Sequence, residues 1–193
     1  MTSNNDDSSN EPLDRLPHEG FSASWTSVHS ADREDLTINF ENEGWTVQGI
    51  ISGIDVHYVI RLSALWKVQQ MLLFRDLDDP DLWLANDGSG QWGEVNGSER
   101  RELGGCEDVD ICCSAFTGVL AIRRLGLDIG GTKSVDSVVV DPDSLAITRC
   151  RISYSREAPR TWSVERDDSP ARRFDVDSFG LPFDIPGIFK RTS

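Results

Sequence analysis

Between residues 56 and 74 the even positions read Val56, Tyr58, Ile60, Leu62, Ala64, Trp66, Val68, Gln70, Leu72 and Phe74, and nine of these ten are apolar or amphipathic aromatic. A period of two puts them on one face of an extended chain, whereas a helix repeats every 3.6 residues. The run of 19 residues is far longer than an ordinary strand of about five or six. It therefore predicts a bend or turn at 63–66 and a sheet that coils. The opposite face mixes Arg61, Ser63, Lys67, Gln69 and Arg75 with Val59, Leu65, Met71 and Leu73, so it is only partly wet.

Shorter alternating runs fill the rest. Residues 36–40 and 45–54 read as strands joined by the turn sequence ENEG, and 81–85 and 91–95 flank NDGSG. After Pro142 come LAITRCRISYSR, TWSVER, ARRFDVD and GLPFDI. The pattern predicts an all-β domain, a curled and mostly antiparallel sheet of about ten strands, over 21–193. At most one or two short helices fit, the best at 117–124. Residues 1–20, polar, acidic and rich in Ser and Asn, read as a disordered tail.

Charge narrows the partners. With 33 acidic and 19 basic residues the net charge is −14, which argues against nucleic acid and anionic membrane surfaces. Asp outnumbers Glu, and Lys67, Lys133 and Lys190 are the only lysines, a balance expected of a salt-adapted, halophilic protein. There is no apolar run long enough for a transmembrane segment, and the first residues do not read as a signal peptide. The expectation is a cytoplasmic chain with Cys106, Cys112, Cys113 and Cys150 reduced, and without the paired spacing of a zinc site.

Conventional catalytic signatures are absent. His18, His29 and His57 belong to no HExxH, GxSxG or Cys–His pattern, and no cofactor motif stands out. LGLDIGGTKS at 125–134 resembles the phosphate-binding hairpin of glucokinase-like sugar kinases. A kinase would need a two-domain α/β scaffold that the following strands do not supply. A glycine turn between two strands explains the stretch better.

The segment GGCEDVDICCSAFTGVLAIRRLGL, 104–127, is the least generic part of the chain. Its Gly-Cys-x-Asp-Val-Asp-Ile opening, the Phe-Thr and Ile-Arg-Arg-Leu that follow, Asp141-Pro142 and the closing FDIPGIF resemble the putative glycolipid-binding family. Trp25 falls where that family has an early strand Trp, so the resemblance covers nearly everything except the tail. It implies a spiral β-roll or half-barrel similar in fold to bacterial lipoprotein carriers, with an apolar slot on the concave face. Ser114-Ala115 and Gly118-Val119 depart from the family pattern, which has a Pro and an Asn around these positions.

On this basis the expected function is non-enzymatic binding of a small amphiphile, a lipid or glycolipid. The binding residues would be Trp25, Tyr58, Leu62, Trp66 and Phe116 along the slot. Arg123 and Arg124 would offer planar forks to a phosphate or carboxylate head. The six tryptophans suit either this role or core filling. Asp108 and Asp110 have three readings: structural ion pairs with Arg123 or Arg124, a divalent-cation site, or paired catalytic carboxylates. The last makes a small hydrolase or isomerase using Asp108, Asp110, Arg123 and Arg124 the alternative function, and a purely structural or interaction domain the third.

Overall fold

A computed structural model describes residues 12–76 and 79–193. Among these residues, fourteen strands form two sheets. Seven come first: β1 (Phe21–Ser27), β2 (Arg33–Glu41), β3 (Gly44–Ser52), β4 (Val56–Ser63), β5 (Val68–Phe74), β6 (Leu82–Asn86) and β7 (Trp92–Glu94). There follow β8 (Asp108–Ile111), the helix α1 (Ala121–Leu125), β9 (Thr132–Val140), β10 (Ile147–Arg156), β11 (Thr161–Arg166), β12 (Ser169–Asp175), β13 (Asp184–Ile185) and β14 (Phe189–Arg191).

The larger sheet has the order β13-β14-β1-β2-β3-β4-β5-β6-β7 and the smaller β12-β11-β10-β9-β8. All neighbours are antiparallel except β8 and β9. The architecture is an all-β half-barrel, with more strands than the ten expected. The surplus lies in pieces too short to alternate, such as the two residues of β13 and three of β14.

The turn predicted inside the long alternating run lies at 64–67. It is a hairpin in which Trp66 takes a positive φ of 62°. β4 buries its even residues as expected. On β5 the parity flips, because an extra residue bulges between the pairs Leu62↔Val68 and Arg61↔Gln70. Met71 and Leu73 are buried in place of Leu72 and Phe74, since one inserted residue turns every later side chain over. The ENEG turn places Asn42 and Glu43 at φ 51° and 60°, the handedness that matches strand twist. Glycine is required opposite Tyr58: a Cβ on Gly49 would stand 2.0 Å from the Tyr58 ring.

The concave face of the larger sheet is filled. Val109 and Ile111 of β8, with Ala115, Phe116 and Leu120 from the segment before α1, pack against Trp25, Ile38, Val47, Tyr58, Ile60 and Leu62. The other side of that segment, Val119, Ala121 and Ile122, packs on Ile152, Tyr154, Trp162 and Phe174 of the smaller sheet. One amphipathic segment thus serves two cores.

Of the stretch expected to be a tail, residues 1–11 lie outside the described residues. Residues 12–20 run along the body: Leu16 is buried, Asp14 N–H donates to Ser178 O at 2.8 Å, and His18 stacks on Phe40 at 4.4 Å. Composition hides this because one leucine and one ring supply the contacts. The IGGT stretch is a turn, but it leads from the short helix α1 into β9 and not from one strand to another, with Gly130 at φ 83° donating to Arg156 O and Gly131 to Asp128 O. No helix among the described residues is long and apolar enough to cross a membrane.

Candidate functional site

The residues nominated from sequence are found at several places. Trp25, Tyr58, Leu62 and Phe116 are at most 1% exposed and Trp66 6%, all inside the larger core. Trp66 leaves the strand face for the hairpin turn, where Arg123 covers its ring at 4.7 Å. Trp25 donates its indole N–H to Pro182 O at 2.9 Å. Tyr58 is drawn to the Phe116 segment through a buried carboxylate that the sequence did not single out. Its hydroxyl donates to Glu34 Oε1 at 2.6 Å, beside donations from Ser114 Oγ at 2.5 Å and, to Oε2, from Ala115 N–H at 2.7 Å. Burial raises the Glu34 carboxyl above its ordinary range, and these donors only partly offset it.

Asp108 and Asp110 project from β8 away from the larger core, each onto an arginine. Arg124 holds Asp108 and also Glu107, so of the two arginines put forward for this pair it is Arg124 that closes on it. Asp110 is held by Arg166, a partner not foreseen, and accepts the Thr117 hydroxyl at 3.2 Å. Burial raises both carboxyls, opposed by the arginines. Burial also works against the Arg166 cation, but the Asp168 hydrogen bond and the Asp110 charge outweigh it, so its pKa is raised. Among the described residues no three His, Cys, Asp or Glu side chains come together as a metal site.

Asp110 and Arg166 line a cleft of about 110 Å³ between the smaller sheet and the β13–β14 hairpin. Its wall is apolar: Val119, Ile152, Val164, Phe174, Ile185, Ile188 and Phe189. Its polar fringe comprises Asp110, Ser114, Arg166 and Arg172. The strands explain the mixture. On β11 the inward series is Trp162, Val164, Arg166, and on the antiparallel β12 it is Arg172, Phe174, so β11 runs from apolar to cationic, β12 from cationic to apolar, and the cationic ends meet on one side. The signal was present in the alternation of TWSVER and ARRFDV, read for strand but not for the sign of its ends.

None of the seven nominated binding residues lines this cleft. Arg124 borders a more polar hollow of about 190 Å³ with Lys67 and Glu107. Arg123 borders another of about 390 Å³ beside Leu13 and Trp162.

The fold is that of a curled β-roll with its concave face plugged from within. Residues 22–191 match the family described as "Putative glycolipid-binding", and the chain belongs to that family. Among solved structures, a DUF1089 family protein from Pseudomonas aeruginosa shares the fold with a TM-score of 0.67 at 24% identity, over 94% of this chain and 97% of that one. No curated protein matches the sequence.

Proposed function

We propose that the chain binds a small amphiphile, with its apolar part in the cleft between the smaller sheet and the β13–β14 hairpin. The supporting observation is the lining: seven large apolar side chains, Ile188 among them, beside a fringe of polar and charged groups, which is the composition of a ligand pocket and not of a packed core. Membership of a family described as glycolipid-binding agrees with a binding role.

Size limits the ligand. A cleft of about 110 Å³ is smaller than pockets for drug-sized molecules, roughly 300–1,000 Å³, and comparable with the roughly 150 Å³ cavity that admits benzene. It takes the end of an acyl chain or a similarly small apolar group, and the remainder of a lipid lies outside. Asp108 and Asp110 are each closed on an arginine, Arg124 and Arg166.

Val164→Trp tests the site by filling the cleft from its partly exposed wall. Titration with a fluorescent fatty-acid probe, read beside circular dichroism, should show at least tenfold weaker binding with an unchanged fold. Undiminished binding by the folded variant places the ligand elsewhere.

A further inference from the structure

We infer that the cleft selects an amphiphile with an anionic, acceptor-only head, a carboxylate or a phosphate, anchored by Arg172; the inference rests on the binding reading above.

The argument begins with what each polar group of the fringe has left to offer. Asp110 has Thr117 on Oδ1 and Arg166 on Oδ2. Ser114 donates to Glu34 and accepts the Phe116 and Thr117 N–H groups at 3.1 and 3.0 Å. Arg166 faces Asp110 through Nη1, and Asp168 through Nε at 3.0 Å and Nη2 at 3.3 Å, so two carboxylates answer its charge. These three groups are engaged with one another and with the fold.

Arg172 differs. It is half-buried and lines the cleft, yet among the described residues it has no hydrogen-bond or ion-pair partner. Its neighbour Arg173, on the opposite face of β12, is paired with Glu157 at 2.6 Å. The register Val164↔Arg172 puts it directly across from a residue of the apolar wall, and cross-strand partners stand on the same face of a sheet. A chain lying against Val164 and Phe174 would therefore bring its head to this guanidinium.

The chemistry of the anchor names the head. A guanidinium has five N–H donors in a plane and no acceptor, and it meets a carboxylate or phosphate through two parallel hydrogen bonds. A hydroxyl head supplies one weaker bond and no charge. The net charge of −14 opposes an anion at a distance, but that repulsion is screened over about 10 Å in ordinary buffer, while a pair in contact is not.

The test uses three eight-carbon probes on the whole chain, octanoate, octyl phosphate and 1-octanol, titrated calorimetrically. The unmodified protein should bind at least one of the two anions ten times or more tighter than octanol. Whichever anion is tighter identifies the head. Arg172→Gln should bring the anions down to octanol's affinity and leave octanol unchanged, with Arg172→Lys intermediate. Val164→Trp should weaken all three. Equal binding of octanol and both anions by the unmodified protein, or an anion preference that survives in Arg172→Gln, overturns the assignment of the head and leaves the cleft intact as a binding site. Binding of all three that is indifferent to Val164→Trp, or no binding at all, overturns the underlying reading as well. Should Arg172→Gln fail to fold, the comparison of probes on the unmodified protein still decides.

Discussion

The guanidinium of Arg123 lies 4.7 Å from the centroid of the Trp66 ring, and this stacking joins α1 to the tip of the β4–β5 hairpin. The same side chain donates through Nη1 to Phe179 O and through Nη2 to Asp14 O at 3.0 Å. Burial lowers its pKa to about 10, with Asp177 and Asp14 opposing. Four parts of the chain therefore converge on one cation. Removing it in Arg123→Ala should destabilise the fold by roughly 2–4 kcal/mol, the sum expected of a sheltered cation–π contact and charged hydrogen bonds. Arg123→Lys should restore less than half, since an ammonium cannot stack and fork at once. Urea unfolding measures both. An alanine variant within about 0.5 kcal/mol of the parent would mean that these contacts add nothing net.

Leu62 separates a filled interior from an open slot. It is 1% exposed, paired with Trp45 and Val68, and packed in the larger core. Leu62→Arg should abolish folding, because an unpaired buried charge exceeds a typical stability margin of about 5–15 kcal/mol. Leu62→Ala should cost about 2–5 kcal/mol and stay folded. Circular dichroism and size-exclusion chromatography report the outcome. A folded Leu62→Arg would reopen the concave face as a binding surface.

Glu34 sets a pH dependence of unusual sign. Burial raises its carboxyl above the ordinary 4.5, so the folded chain takes up this proton before the unfolded chain does. Stability from this group therefore rises as pH falls through the folded value, and the gain is complete below the unfolded one. Asp35, Asp81, Asp136 and Asp168, held low by Arg33, Arg75, Arg149 and Arg166, act in the opposite sense. The Glu34 share must be read as the stability of the parent minus that of Glu34→Gln. This difference should increase from neutral pH down to about 4.5. A difference that stays level or declines over that range contradicts the buried carboxylate.

The charge of −14 predicts a salt response. Self-repulsion is screened as the Debye length falls from about 30 Å at 0.01 M to about 3 Å at 1 M. The midpoint of a thermal melt should climb across that series. A level or falling midpoint would leave the excess of Asp over Glu, and the scarcity of lysine, without a link to salt.

How much could be read from the chain varied with the length of the pattern. β4 was legible because Val56, Tyr58, Ile60 and Leu62 alternate without interruption, and the hairpin after it because a strand of 19 residues has nowhere to go. Periodicity carries no mark of a bulge, which is why Met71 and Leu73 were assigned to the wrong face. The aromatics were legible as apolar but not as interior or groove: both need the same residues, and only the arrival of Phe116 and Leu120 from a distant segment decides. The chain leaves Asp108 and Asp110 with three readings, ion pairs, a cation site or catalytic carboxylates, and proximity in sequence offers Arg123 or Arg124 as the ion-pair partner. Arg166, 56 positions from Asp110, is delivered by sheet pairing that one-dimensional spacing does not encode. The cleft shares that origin, since its wall draws on six separate stretches.

The pairing of β1 with β14 sets a timetable for folding. Thr26 and Lys190 are register partners 164 positions apart, with the whole of the smaller sheet between them in the chain. On the ribosome the meander from β1 to β7 is expected to pair first, through neighbouring hairpins of short sequence separation. The outer edge of β1 then waits, with its hydrogen-bonding groups unclaimed, until the last strand is synthesised. An unclaimed edge invites pairing with another nascent copy, and such distant closures are slow. The nascent chain is therefore most vulnerable to self-association during the interval between completion of β7 and release of β14.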